Sequence, residues 1–224
     1  MRQYDAIFWD LDGTIANTFE GIFNCMNYAL ESYGIKIERQ DMHKFIGPPL
    51  RRSIPEYCGL TPEQTEDAVR RYRERYIPVG VYECEMFPGV REALAACRNA
   101  GCIQVLTSSK PEAQCREILK MFGISDFFDE VVGASPDGKI DTKIQVLQEA
   151  FWRMDQREEH CEKSRIVLIG DTRFDAEGAR QAGIDCIGVG YGFGTAEEML
   201  QEGAKAVYPD LETLCRNILN DSQT

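Results

Sequence analysis

The chain has 224 residues, of which 43% are hydrophobic, enough for one large domain or for a core domain with a smaller insertion. Its formal net charge of −12 disfavours nucleic acids and anionic membrane surfaces as partners, because like charges repel. Nine cysteines without a CxxC pair argue against a zinc ribbon or a thioredoxin-type site. They are typical of a reducing compartment, so we expect a cytoplasmic protein.

Short apolar runs predict buried β-strands that are covered on both faces. These runs are AIFW (6–9), IQVL (103–106), EVVG (130–133), IVLIG (166–170) and CIGVG (186–190). Segments with helical spacing separate them, and this alternation predicts an α/β fold with a doubly wound, Rossmann-like parallel sheet. The runs are too short to cross a bilayer, so we expect no membrane insertion.

The helices between these strands have recognisable ends. One covers residues 88–100. A second opens with a T-x-x-Q capping box formed by Thr142 and Gln145. A third follows Asp171 and ends at Gly183.

Residues 16–84 interrupt the alternation, and no strand is predicted there. Apolar residues at helical spacing begin at Phe19, and a second helix opens at Thr61, after a rigid loop IGPPL at 46–50. The segment therefore predicts an inserted α-helical domain.

Polar side chains follow several of the predicted strands. They are Asp10 and Asp12, then Thr107, Ser108 and Lys110, then Asp137, Lys139 and Lys143, and finally Asp171 and Asp175. Because ligands bind beyond the carboxyl ends of parallel strands, we expect these groups to converge on one site. Carboxylates without histidine or thiolate suit a hard cation such as Mg²⁺.

Such a site has the groups that phosphoryl transfer requires. An aspartate can attack phosphorus, and a second carboxyl two residues later can protonate the leaving alcohol and then deprotonate water. A lysine and a hydroxyl would balance the charge on the phosphoryl oxygens. The pattern predicts chemistry on a phosphate ester.

The motifs DLDGT, SSKP and GDTRFD resemble those of the haloacid dehalogenase-like superfamily of phosphatases. That resemblance covers the whole chain and implies a catalytic core formed by residues 1–15 and 85–224, with residues 16–84 as a small α-helical cap. The segments FIGPPLRRS and YGFGTAEEMLQEGA look more narrowly like phosphoglycolate phosphatase and its 5′-nucleotidase-like relatives.

The resemblance also implies roles for the acidic residues. Asp10 matches the nucleophile and, together with Asp171, a ligand of one shared metal ion. Asp12 matches the general acid/base, whose backbone carbonyl also binds the metal. Asp171 matches a further metal ligand, and Asp175 matches a supporting acid of the same metal site.

For the phosphate contacts, the resemblance favours Ser108, with Thr107 as the alternative hydroxyl. It favours Lys143 over Lys139 as the lysine. The glycine-rich segment GVGYGFG (188–194) lacks the spacing of a dinucleotide site and is predicted to be a flexible loop.

Together these observations predict a Mg²⁺-dependent phosphatase that acts on a small phosphorylated metabolite through an aspartyl-phosphate. Phosphoglycolate, nucleoside monophosphates and sugar phosphates remain open as substrates. The alternatives are a phosphomutase similar to β-phosphoglucomutase and a catalytically silent phosphate-binding module. We expect a monomer or a weak homodimer.

Overall fold

The computed structural model describes residues 3–157 and 161–219. The chain divides into two compact units. The smaller unit is Asn17–Glu85, and the larger unit contains the chain on either side of it. Among the described residues, no helix combines the length and apolar character that crossing a bilayer requires.

The strands and helices follow one another along the chain with 3₁₀ turns between several of them. The strands are β1 (Ala6–Trp9), β2 (Ala16–Asn17), β3 (Glu85–Met86), β4 (Ile103–Pro111), β5 (Glu130–Ala134), β6 (Ile166–Gly170), β7 (Asp185–Val189) and β8 (Ala206–Tyr208). The helices are α1 (Phe19–Leu30), α2 (Leu50–Cys58), α3 (Pro62–Tyr76), α4 (Val90–Asn99), α5 (Glu112–Phe122), α6 (Lys143–Gln156), α7 (Arg173–Ala182), α8 (Ala196–Gln201) and α9 (Leu211–Leu219).

The larger unit is built on a parallel sheet. In the described part of the chain, six strands pair in the order β5-β4-β1-β6-β7-β8. The chain winds outward from β1 to β5, crosses back to β6 on the other side of β1, and continues outward. This arrangement confirms the predicted doubly wound α/β fold.

Helices cover both faces of this sheet. On one face, apolar side chains of the strands pack against α6 and α7. On the other face, Gln104 of β4 is buried and donates hydrogen bonds to the carbonyls of Leu94 in α4 and of Phe127, and it accepts one from the indole N–H of Trp9. The core is therefore apolar on the face covered by α6 and α7, and on the other face it contains the hydrogen-bonded amide of Gln104.

Strand β5 forms one edge of the sheet. Arg116 of α5 and Arg153 of α6 both donate to the carbonyl of Val131, and Arg157 donates to the carbonyl of Asp129 just before the strand. Guanidinium groups therefore occupy backbone acceptors along this edge strand.

Several predicted element ends differ from the structure. Strand β4 continues to Pro111 through an irregular register, so Thr107 and Ser108 lie within it and not after its end. The predicted absence of strands from residues 16–84 is wrong at Ala16–Asn17, where the chain forms β2.

The smaller unit contains α1, α2 and α3. Thr61 and Gln64 form a capping box at the start of α3, as the predicted helix start there requires. The predicted loop at 46–50 is wrong at Leu50, which begins α2. The guanidinium of Arg75 makes a two-pronged ion pair with Glu83, with N–O distances of 2.8 and 3.0 Å.

Candidate active site

The site lies where the winding of the sheet reverses. Strands β1 and β6 are hydrogen-bonded neighbours, with Trp9 beside Ile169. Asp10 follows β1 directly, and Asp171 follows β6 directly. In sheets of this kind the crevice at such a reversal receives the ligand, because the flanking loops diverge there.

Three buried carboxylates meet at this point. Each of Asp10, Asp171 and Asp175 offers an oxygen, and these oxygens all lie within 4.8 Å of one another. The donor set is entirely oxygen, which fits a hard divalent cation such as Mg²⁺ better than a softer metal. The structure therefore brings together the two acids that the sequence predicts to share an ion.

Burial makes this negative charge costly. It raises the pKa of Asp10 to about 7; the ammonium of Lys143 opposes this rise, and Asp175 and Asp12 add to it. Burial also raises the pKa of Asp171 well above its usual range, and Asp175 and Asp10 add to the effect. Since a bound cation would relieve both penalties, the electrostatics agree with a metal site.

Lys143 provides the positive charge inside the cluster. Its Nζ lies 2.5 Å from Asp10 Oδ1 and 2.8 Å from Asp175 Oδ1, and it donates to the carbonyl of Thr107 at 2.9 Å. Burial opposes the charge, but the two carboxylates outweigh it and hold the pKa of Lys143 above its usual range. These three acceptors match the three N–H groups of an ammonium.

The sequence left two lysines open for this position. The structure places Lys143 against Asp10, whereas Lys139 is exposed and pairs with Asp137. Lys143 is correctly positioned because the capping box of Thr142 and Gln145 starts α6 at this residue. Lys143 is therefore the lysine at the acidic cluster.

Asp12 has a different partner. Its Oδ1 lies 3.0 Å from Nζ of Lys110, and both side chains are largely buried. Among the described residues, the group of carboxylates that could hold an ion together does not include the Asp12 side chain. The Asp12 carboxyl therefore lies beside Lys110 and apart from the group formed by Asp10, Asp171 and Asp175.

The two candidate hydroxyls on β4 differ in their contacts. Thr107 Oγ1 donates to the carbonyl of Trp9 on the neighbouring strand at 3.4 Å. Ser108 Oγ instead accepts from the backbone N–H of Lys110 at 3.3 Å. A hydroxyl that accepts a hydrogen bond keeps its own proton to donate, so Ser108 can still donate a hydrogen bond, whereas Thr107 already donates its own to Trp9.

The carboxylate of Asp175 accepts hydrogen bonds at the start of α7. Its Oδ2 accepts from the N–H and hydroxyl of Thr172 at 3.0 and 2.9 Å, and from the N–H of Asp171 at 3.3 Å. Its Oδ1 faces Lys143. Through these contacts Asp175 holds the backbone of Asp171 and the ammonium of Lys143 in place.

Two contacts to Asp171 were not predicted from the sequence. Thr14 donates its hydroxyl to Asp171 Oδ1 at 3.0 Å, and the backbone N–H of Phe193 donates to Oδ2 at 2.7 Å. The hydroxyl of Tyr191 donates to the carbonyl of Thr14 at 2.7 Å. The predicted loop at 188–194 is wrong at Gly188 and Val189, which belong to β7, whereas from residue 190 onward the chain forms a loop that contacts Asp171 and is part of the site.

Glycines lie directly against the cluster. A Cβ at Gly13 would stand 2.0 Å from Asp171 Oδ2, and one at Gly192 would stand 2.3 Å from the Asp171 Cβ. The glycines packed in this way against Asp171, Asp175 or Lys143 are Gly13, Gly170, Gly178, Gly192 and Gly194. Gly192 and Gly194 belong to GVGYGFG, and the close spacing of glycines in that segment was a usable signal, because glycine permits close backbone approach.

Comparison with known proteins identifies the family of this chain. The family model of haloacid dehalogenase-like hydrolases matches residues 7–189. The chain belongs to the haloacid dehalogenase-like hydrolases. It is 34% identical over 198 residues to a 5′-nucleotidase of Pseudomonas aeruginosa, covering 88% of this chain and 87% of that protein.

Two further similarities extend the comparison. A solved structure described as a predicted phosphatase from Clostridium acetobutylicum has a TM-score of 0.90 and 32% identity, covering 96% of this chain and 98% of that one. The chain is also 34% identical over 192 residues to tyrosine-protein kinase PtkA of Mycobacterium tuberculosis, covering 85% of this chain and 64% of that longer protein. The family and the phosphatase relatives identify this member as a phosphoric monoester hydrolase.

Proposed function

We propose that this hydrolase is a Mg²⁺-dependent phosphatase that cleaves a small phosphomonoester through an aspartyl-phosphate on Asp10. The observation that carries the proposal is the meeting of Asp10 and Asp171 at neighbouring strand ends, close enough for their oxygens to share one ion. The proposed metal contacts are the carboxylates of Asp10 and Asp171 and the backbone carbonyl of Asp12, with Asp175 supporting them.

In this proposal, Asp10 attacks the phosphorus atom in line with the leaving oxygen, and the phosphoryl group is transferred to its carboxylate. Asp12 protonates the departing alkoxide and then deprotonates the water that hydrolyses the acyl phosphate. Lys143 and Ser108 hold the nucleophile and the phosphoryl oxygens. Bound Mg²⁺ would supply charge neutralisation between nucleophile and ester.

The substrate class is a second part of the proposal. The similarity to a 5′-nucleotidase supports nucleoside 5′-monophosphates as the first substrates to test. Phosphoglycolate and sugar phosphates are the next substrates to test. We further propose that the unit Asn17–Glu85 is the cap that selects among them, and that the enzyme works in the cytoplasm as a monomer or weak homodimer. The nine free cysteines support the reducing compartment.

The test is phosphate release from a panel of these esters with Mg²⁺, repeated with EDTA. We expect EDTA to stop turnover, and Asp10→Asn to lower kcat at least about 10³-fold, since it removes the nucleophile. The matched control is Asp137→Asn, which changes an exposed aspartate paired with Lys139. Mass spectrometry of acid-quenched enzyme should find the phosphoryl group on Asp10.

Other outcomes would favour the alternatives. Turnover retained by Asp10→Asn would refute the assigned nucleophile. Conversion of a sugar phosphate into its isomer without free phosphate would identify a phosphomutase. Phosphate binding without turnover of any ester would identify a silent module.

A further inference from the structure

The loop formed by residues 190–195 is held at both ends. The N–H of Gly190 donates to the carbonyl of Tyr208 in β8 at 2.8 Å. At the other end, Thr195 caps α8 by accepting from the N–H of Glu198. Between these anchors the loop passes directly over Asp171, where Gly192 and Gly194 allow its backbone to approach.

The loop and the turn after β1 together contact both oxygens of Asp171. Phe193 donates its N–H to Oδ2, and Thr14, which is fully buried, donates its hydroxyl to Oδ1. The Tyr191 hydroxyl joins the two segments by donating to the carbonyl of Thr14. The Tyr191 ring also packs on Phe87, with 4.7 Å between ring centroids.

We propose that Tyr191 is a positioning residue for the metal centre, because its hydroxyl joins the 190–195 loop to the turn that carries Thr14. The two donors to Asp171 come from different segments, so Asp171 keeps one orientation only while those segments stay together. Partners that orient a metal ligand commonly affect metal affinity as strongly as they affect activity. This inference rests on the proposed metal-dependent function.

The test measures metal binding directly. Mn²⁺ is the probe, because it accepts the same oxygen ligands as Mg²⁺ and its free form is quantified by electron paramagnetic resonance. Tyr191→Phe removes the hydroxyl and keeps the ring on Phe87. We expect the Kd for Mn²⁺ to rise roughly tenfold, with the KM for the ester at saturating metal unchanged.

Thr14 tests the route of the effect. Thr14→Val removes the hydroxyl that contacts Asp171 and should also raise the Kd for Mn²⁺ roughly tenfold, whereas Thr14→Ser should restore it. In the double variant Tyr191→Phe with Thr14→Val, the fold increase in the Kd for Mn²⁺ should be smaller than the product of the two single increases, because both substitutions act through one contact.

The matched control is Tyr4→Phe. The Tyr4 hydroxyl donates to Asp185 Oδ2 at 2.8 Å, at the amino ends of the strands and away from the acidic cluster. We expect this variant to bind Mn²⁺ like the wild type. A Kd for Tyr191→Phe within twofold of the wild type, or equal changes in Tyr191→Phe and Tyr4→Phe, would overturn the inference while leaving the phosphatase intact. A wild-type enzyme that neither binds Mn²⁺ nor hydrolyses esters would overturn both proposals.

Discussion

Replacement of Gly13 by alanine tests whether the position of Asp171 controls activity. Gly13 has a φ of +87°, which L-residues rarely adopt, and its added Cβ would stand 2.0 Å from Asp171 Oδ2. Ordinary contact begins at 3.4 Å, so the carboxylate oxygen must move by about 1.4 Å, the difference between the two distances. Displacement of a reacting group by about 1 Å can cost roughly 10²-fold in rate.

The matched control is Gly183→Ala. Gly183 has a φ of +75° and no atom within 4 Å of an added Cβ, so it carries the same backbone cost without the collision. Both variants should lose about 1–2 kcal/mol of stability from the left-handed backbone. Only Gly13→Ala should also lose about 10²-fold in kcat/KM. Phosphate release measures kcat/KM, and thermal unfolding measures the stability of both variants. The reasoning fails if the two variants keep similar kcat/KM values.

Two further variants test the polar contacts inside the larger unit. Lys143→Met leaves Asp10 and Asp175 buried without their cation. The unfolding free energy of the metal-free protein, measured in urea, should therefore fall by about 3 kcal/mol. A fall of less than about 1 kcal/mol would contradict the assigned pairing. Gln104→Leu leaves the indole N–H of Trp9 buried and unpaired, so the unfolding free energy should fall by about 2 kcal/mol. Because Gln104 lies near the amino end of β4, kcat should stay unchanged. An unchanged denaturation midpoint would contradict this prediction.

The central strands could be predicted from sequence because their signal is local. Strands β1 and β6 are buried along their whole length, and the apolar runs at 6–9 and 166–170 match their ends. Strand β8 was missed because its three half-buried residues gain their conformation from pairing with β7, which no short pattern records. Helix α2 was missed because Pro55 lies inside it and proline ordinarily argues against a helix interior.

The same distinction applies to the site. The convergence of Asp10 and Asp171 could be predicted because each directly follows a strand. The preference for Lys143 came from the family resemblance, in which the lysine opens the next helix. The contacts that orient Asp171 join distant parts of the chain: Tyr191 and Thr14 are 177 positions apart, and Phe193 and Asp171 are 22 apart. A single sequence shows the glycines that allow this approach but does not show which backbone they approach.

The arginines along β5 have a consequence for self-association. An exposed sheet edge invites a strand of a second molecule to extend the ladder, and proteins resist this with charged groups at the edge. Here Arg116 and Arg153 already occupy the carbonyl of Val131, so an incoming strand must displace charged donors to pair with that carbonyl. Charged groups at this position are the feature by which proteins discourage pairing between sheet edges, and here the same side chains also make ion pairs with Glu112 and Glu130.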